Sequence, residues 1–218
     1  MKPNAPDVRR FTGCAPNPRA PGFLIVEIDG ARFASLPQEW VSAWGVRKGD
    51  LITEEQFGQL SRAAEAENAY RTAIRALTAR PQSTHEMRRR LHDRDYRDPL
   101  VGEVLRRLER EGLLDDDKYA RDFTRARIRK GHGAVRLISD LRQRGLDREL
   151  AATAVAETLE SEGIEPAAEV RRLAEKRALQ LTHVGSDVRR RRVIAYLTRR
   201  GYHAGEILDV VDEVLRAI

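Results

Sequence analysis

Three leucines, each followed at the same distance by a helix stop, constrain this chain more than any other feature. The segments are Leu91-His92-Asp93-Arg94-Asp95-Tyr96, Leu141-Arg142-Gln143-Arg144-Gly145-Leu146 and Leu197-Thr198-Arg199-Arg200-Gly201-Tyr202, with anchors 50 and 56 residues apart. A period of that size indicates one supersecondary unit stacked several times, an architecture suited to binding something extended rather than to enclosing one catalytic pocket. Counting five, nine and twelve residues on from Tyr96, Leu146 and Tyr202 gives Val101/Leu105/Leu108, Ala151/Val155/Thr158 and Ile207/Val211/Val214. That shared register predicts a helix after each stop with the same buried stripe.

The expected fold is mainly α: tandem three-helix repeats at 69–114, 115–164 and 165–218 forming an elongated curved array. In the first repeat a helix ends near Arg80, a second opens at Ser83-Thr84-His85-Glu86, and a third stops at Gly112. In the second the helices run from about Asp116 to Lys130, from a Gly131-His132-Gly133 break to Arg144, and on to about Leu159. In the third they span roughly 166–181, 186–200 and 204–217. Residues 1–21, with Pro3, Pro6, Pro16, Pro18 and Pro21, read as a disordered tail. Residues 22–68 read as a small β-rich module and a linking helix. There Asp29-Gly30 between two β-prone runs signals a hairpin, and Pro37 to Trp44 suits a short helix. Thr53-Glu54-Glu55-Gln56 is a capping box, as is Ser83 to Glu86.

Composition narrows the function. Apolar residues make up 41% and charged residues 34% of 218, a balance that fits an elongated helical array better than a compact sphere. No apolar run approaches the roughly 20 residues of a membrane span, and the start, Met1-Lys2-Pro3, lacks a signal-peptide stretch. A single Cys14 allows no intrachain disulfide and suits a reducing compartment. A cytoplasmic protein is expected, and a monomer, since the array has polar ends. The histidines show no metal-ligand spacing, no Gly-x-x-x-x-Gly-Lys phosphate loop occurs, and Gly131-x-Gly133 lacks the preceding strand of a dinucleotide turn. Asp115-Asp116-Asp117 reads as helix capping rather than as a cation site. No enzyme, metal or cofactor is expected.

The net charge is +6, divided as −1 over residues 1–68, +4 over 69–114, zero over 115–164 and +3 over 165–218. A basic array predicts contact with nucleic acid or another polyanion. The candidates in the first repeat are Arg88, Arg89, Arg90 and Arg94 around Met87 and Leu91, and those in the second are Lys130, Arg136, Arg142 and Arg144. In the third, Arg189-Arg190-Arg191-Arg192 cannot share a face, because successive helical residues turn by about 100°. Arg189, Arg192, Tyr196 and Arg199 form one stripe at helical spacing, with Arg191 and Arg200 beside it. Guanidinium forks for phosphate around an aromatic face make a plausible single-strand surface. Tyr196 packing at the core edge, with the arginines paired to acids, is the other reading.

Three stretches bear a family resemblance. Gly112-Leu113-Leu114-Asp115-Asp116-Asp117-Lys118-Tyr119-Ala120, then Arg127-Ile128-Arg129-Lys130-Gly131-His132-Gly133, then Ile138-Ser139-Asp140-Leu141-Arg142-Gln143-Arg144-Gly145-Leu146 resemble the central signature of the RecX family. Ala76-Leu77 through Arg80-Pro81-x-Ser83 and Leu91 match the family's opening. The resemblance covers about residues 69–215; the quadruple arginine and the tail lie outside the pattern. It implies a regulator that binds the RecA–DNA filament in its groove and inhibits strand exchange, ATP hydrolysis and co-protease activity. The partners implied are RecA and single- or double-stranded DNA, directly or within the filament. The competing expectation is a direct DNA-binding regulator with helix-turn-helix-like units, the Asp29-Gly30 hairpin serving as a wing.

Overall fold

The computed structural model describes residues 9–217. It begins with a four-stranded antiparallel sheet of β1 (Arg9–Pro16), β2 (Phe23–Ile28), β3 (Ala31–Pro37) and β4 (Leu51–Ile52), in the order β3-β2-β1-β4. Asp29 and Gly30 turn the β2–β3 hairpin at φ 52° and 77°, the positive pair that a two-residue hairpin turn requires. The tail expected over residues 1–21 is corrected from Arg9 onward. Arg9–Pro16 is a strand hydrogen-bonded on both sides, and Asn17 behind it is buried, its amide donating to Ser35 Oγ at 2.8 Å. Met1–Val8, the rest of that expected tail, lie outside the described residues.

Alternation along the strands sends Phe11, Val26, Ile28, Ala34, Leu36 and Ile52 to one apolar core. Helix α1 (Gln38–Ala43) adds Val41, with Trp40 and Trp44 stacked at 5.9 Å, and α2 (Glu54–Ala79) adds Leu60 and Ala64. The capping box that starts α2 is formed: Gln56 N–H donates to Thr53 Oγ1, and Thr53 N–H to Gln56 Oε1.

Eight further helices follow α2: α3 (Thr84–His92), α4 (Asp98–Arg110), α5 (Asp116–Ile128), α6 (Ala134–Gln143), α7 (Arg148–Ser161), α8 (Pro166–Leu179), α9 (Ser186–Arg200) and α10 (Ala204–Arg216). The chain falls into two compact units. One holds the sheet, α1, α2 and Leu91–Arg107; the other holds Arg80–Arg90 and everything from Leu108 on. In the second unit α5–α7 share a core around Phe123, Leu137, Leu141 and Val155, and α8–α10 another around Leu173, Val193, Leu197 and Val211.

The three leucine-stop segments share one geometry. Asp95, Gly145 and Gly201 each have positive φ, at 65°, 84° and 87°. The next residue (Tyr96, Leu146, Tyr202) returns its N–H to the carbonyl of the anchor leucine at 3.3 Å in all three cases. This is the bond that closes a helix through a left-handed residue, and it dictates the leucine-to-stop spacing. The pairs eight and four residues before each stop, Met87/Leu91, Leu137/Leu141 and Val193/Leu197, are all 0% exposed, and all nine residues of the offset triplets are buried.

Candidate nucleic-acid interface

The middle helices of the repeats, α3, α6 and α9, meet end to end, and this decides which arginines are free. A helix start leaves N–H groups without partners, and a helix end leaves carbonyls. Where α9 ends, the Arg200 and Gly201 carbonyls accept from the N–H groups of Gly133 (2.8 Å) and Val135 (3.1 Å) at the start of α6. Where α6 ends, the Arg144 carbonyl accepts from Ser83 Oγ (2.6 Å) at the start of α3. Opposite ends of the helix dipoles thereby face each other. The approach leaves no room for side chains: a Cβ on Gly133 would lie 2.4 Å from the Gly201 carbonyl oxygen, and one on Gly145 2.1 Å from His85 Cγ.

Three candidate cations are engaged at these seams. Arg144 and Arg200 both sit one residue before the stop, and both are half-buried. Arg144 donates to Glu86 Oε1 at 2.9 Å and lies over the Phe123 ring. Glu86 is buried and also accepts from Ser83 N–H and the Tyr119 hydroxyl. Burial is the largest cause that raises the Tyr119 pKa, with the Glu86 charge adding to it. Arg200 reaches the Lys130 and Gly131 carbonyls and covers Tyr196. Arg136 donates to the Arg199 carbonyl at 3.1 Å and leans toward Asp140. The guanidinium groups of these three binding candidates hold adjacent repeats together, a structural occupation that the spacing did not show. His132 lies in the seam between α9 and α6 with its pKa lowered, first by burial and then by the Arg136 and Arg200 charges.

The expected exposure of the whole α9 stripe is corrected. Arg189 is half-buried, its Nη2 directed at the Thr182 carbonyl at 3.3 Å, and Tyr196 packs against the α8–α10 core between Arg177 and Arg200. Arg190 forms a two-bond pair with Asp212 on α10 (2.6 and 2.8 Å), which raises its own pKa and lowers that of Asp212. The core-edge reading of Tyr196 is the one the structure gives. Arg90 is half-buried and donates to Gln82.

What remains exposed is a smaller set. Arg88 and Arg89 on α3, and Arg191, Arg192 and Arg199 on α9, make no ion pair among the described residues. The same holds for Lys130, Arg142 and, in the turn after α3, Arg94. Arg191 donates to the Asp187 carbonyl of its own helix, at 3.4 Å. Unpaired exposed guanidinium groups are free to fork onto phosphate or carboxylate oxygens. α9 runs sixteen residues from cap to stop against twelve for α3 and α6, and the arginine run lies at the end carrying this extra turn.

The acidic run acts on helix ends. Asp115 caps α5 by accepting from Lys118 N–H, Asp116 accepts from Thr84 N–H at the start of α3, and Asp117 pairs with Arg121. The reach of Asp116 to another helix was not readable, because nothing in a local pattern places residues 84 and 116 together. No cluster of three metal-ligating side chains occurs among the described residues. Cys14 is exposed in β1.

Comparison with known proteins gives this architecture its relatives. Residues 69–108 match the family model described as RecX, first three-helix domain, and residues 115–155 match RecX, second three-helix domain. A protein of Mycobacterium sp. (strain JLS) named Regulatory protein RecX is 34% identical over 147 residues, 66% of this chain and 80% of that one. Its namesake from Halorhodospira halophila is 36% identical over 154 residues, 68% of this chain and 89% of its own. A crystal structure of regulatory protein RecX superposes with a TM-score of 0.75 at 19% identity, covering 94% of this chain and 99% of that one. RecX from Lactobacillus salivarius gives 0.62 at 21% identity, covering 70% and 97%. Both structures share the fold.

Proposed function

The chain belongs to the RecX family, and on that premise we propose that it binds the RecA–DNA filament and negatively modulates the recombinase, ATPase and co-protease activities of RecA. The observation that carries this reading is the exposed, unpaired Arg88/Arg89 on α3 and Arg191/Arg192 on α9, both within one compact unit. Two cationic sites on one body meet a polymer that repeats phosphates and carboxylates. Binding at both together converts the second contact into an intramolecular one, which favours filament over free RecA. The relatives are named as regulatory proteins, and the proposed role is binding without catalysis. No helix among the described residues is long and apolar enough to cross a membrane. A cytoplasmic monomer is part of the proposal.

The test is RecA ATPase on single-stranded DNA with this protein added below stoichiometry. Inhibition is expected, and R88E/R89E/R191E/R192E should abolish it while keeping the wild-type circular dichroism spectrum. No inhibition by the wild-type protein overturns the reading. Tight duplex binding in that case would assign the chain to the competing class of direct DNA-binding regulators.

A further inference from the structure

The N-terminal unit carries a second basic feature that the charge count conceals. Residues 1–68 sum to −1, yet their Arg19 and Arg32 join Arg71 and Arg75 of the following segment in lining one groove on this unit, with no carboxylate in the lining. Its volume is about 800 Å³. Arg32 comes from β3, Arg19 from the turn after β1, and Arg71 and Arg75 from successive turns of α2, so cations stand on facing walls. Arg19, Arg32 and Arg75 are exposed and make no ion pair among the described residues; Arg71 lies over the Phe23 ring at 5.5 Å. Four like charges gathered without a counter-charge repel one another, an arrangement that an anionic ligand relieves.

From this we propose that the groove binds a single strand of nucleic acid, its phosphodiesters held by the four guanidinium groups. Guanidinium forks match phosphate oxygens two bonds at a time. Asn68 and Thr72 of α2 add neutral polar groups between the cations, and the half-buried Tyr96 offers a ring face on which a base can stack. A trough of this size takes a few nucleotides of one strand. The proposal deepens the filament reading by giving the N-terminal unit its own contact with the strand, and it is testable without RecA.

The experiment is fluorescence anisotropy of labelled oligo-dT with the full chain, wild type and R19E/R32E/R75E, over a salt series. The three arginines are exposed and unpaired, so the variant should retain its circular dichroism spectrum. R19Q/R32Q/R75Q serves as the milder second variant. Each lost phosphate contact on a single strand lowers the slope of log K against log salt by about 0.7, so the triple variant should lose about 2 from the slope and at least about tenfold in affinity. An oligonucleotide with 5-iodouracil should photocrosslink to Tyr96 in the wild type. Wild-type affinity and slope in both variants overturn the proposal, whatever the RecA assay shows. Displacement of the oligonucleotide by polyglutamate at equal charge overturns it as well, assigning the groove to acidic peptides. Loss of strand binding in the variants with RecA inhibition retained supports the groove and separates it from the α3 and α9 arginines.

Discussion

Replacing Gly201 by alanine measures what the seam between the second and third repeats contributes. Gly201 holds φ 87°, and a Cβ there would lie 2.2 Å from Arg136 Cβ and 2.4 Å from Arg136 N. The left-handed conformation costs a non-glycine residue about 1–2 kcal/mol. Overpacking against a backbone atom adds about 1–3 kcal/mol. If the ends move apart, the Gly133 and Val135 hydrogen bonds are lost, each worth about 0.5–1.5 kcal/mol net. The clash is relieved either by strain or by separation, so the terms overlap, and the expected cost is about 4 kcal/mol. Gly163→Ala is the control: φ is 63°, nothing lies within 4 Å of the added Cβ, and only the conformational cost of about 1–2 kcal/mol applies. Urea unfolding of both variants should therefore differ by about 2–3 kcal/mol. Amide hydrogen exchange at Gly133 and Val135 should accelerate in G201A alone. Equal destabilisation by the two substitutions, or unprotected Gly133 and Val135 amides in the wild type, would refute the seam as an energetic element.

Two further outcomes follow from the same seams. Arg144→Ala takes the nearer guanidinium from the buried Glu86 and leaves only the longer Arg80 contact at 3.7 Å among the described ion pairs, and a thermal melt should show a loss of about 2 kcal/mol, while Arg192→Ala should shift the melt little. RecA inhibition should survive Arg144→Ala where the protein stays folded. For His132 the folded pKa is depressed, so the unfolded chain binds the proton first as pH falls. Its contribution is complete above the unfolded value of about 6.5 and declines below it. Protection of the Val135 amide should weaken between about pH 7 and 5.5 in the wild type, and His132→Gln should flatten that dependence; an unchanged profile in the variant assigns the titration elsewhere.

Much of the helical skeleton was legible because its signals are local. The leucine and its stop are four residues apart, the capping boxes three, and the buried triplets share one helix each. The β1 strand was illegible for the opposite reason. Arg9-Arg10-Phe11-Thr12-Gly13-Cys14 carries one large apolar side chain, Phe11, and becomes a strand because β2 and β4 supply hydrogen-bond partners from elsewhere in the sequence. The arginines divided in the same way. Their spacing told which could share a helix face, and it placed Arg190 apart from Arg189 and Arg192. It could not tell that Asp212 waits on α10 for Arg190, or that the α8–α9 turn turns its carbonyls toward Arg189.

The arginine before each stop shows how far position can mislead. Arg94, Arg144 and Arg200 occupy the same place relative to Asp95, Gly145 and Gly201, and composition treats them alike. Arg144 and Arg200 have a preceding repeat to grip, and their charge is spent on Glu86 and on the carbonyls at Lys130 and Gly131. Arg94 stays exposed with no ion pair. One residue type at one repeat position thus does two jobs, set by whether another repeat stands before it. Gly133 and Gly145 of the family signature belong to the first job, since their missing Cβ atoms let helix ends meet. A search for the partner-binding surface should therefore start from cations that no seam consumes, which excludes Arg136, Arg144 and Arg200 and leaves Arg88, Arg89, Arg191 and Arg192 as the strongest remaining set.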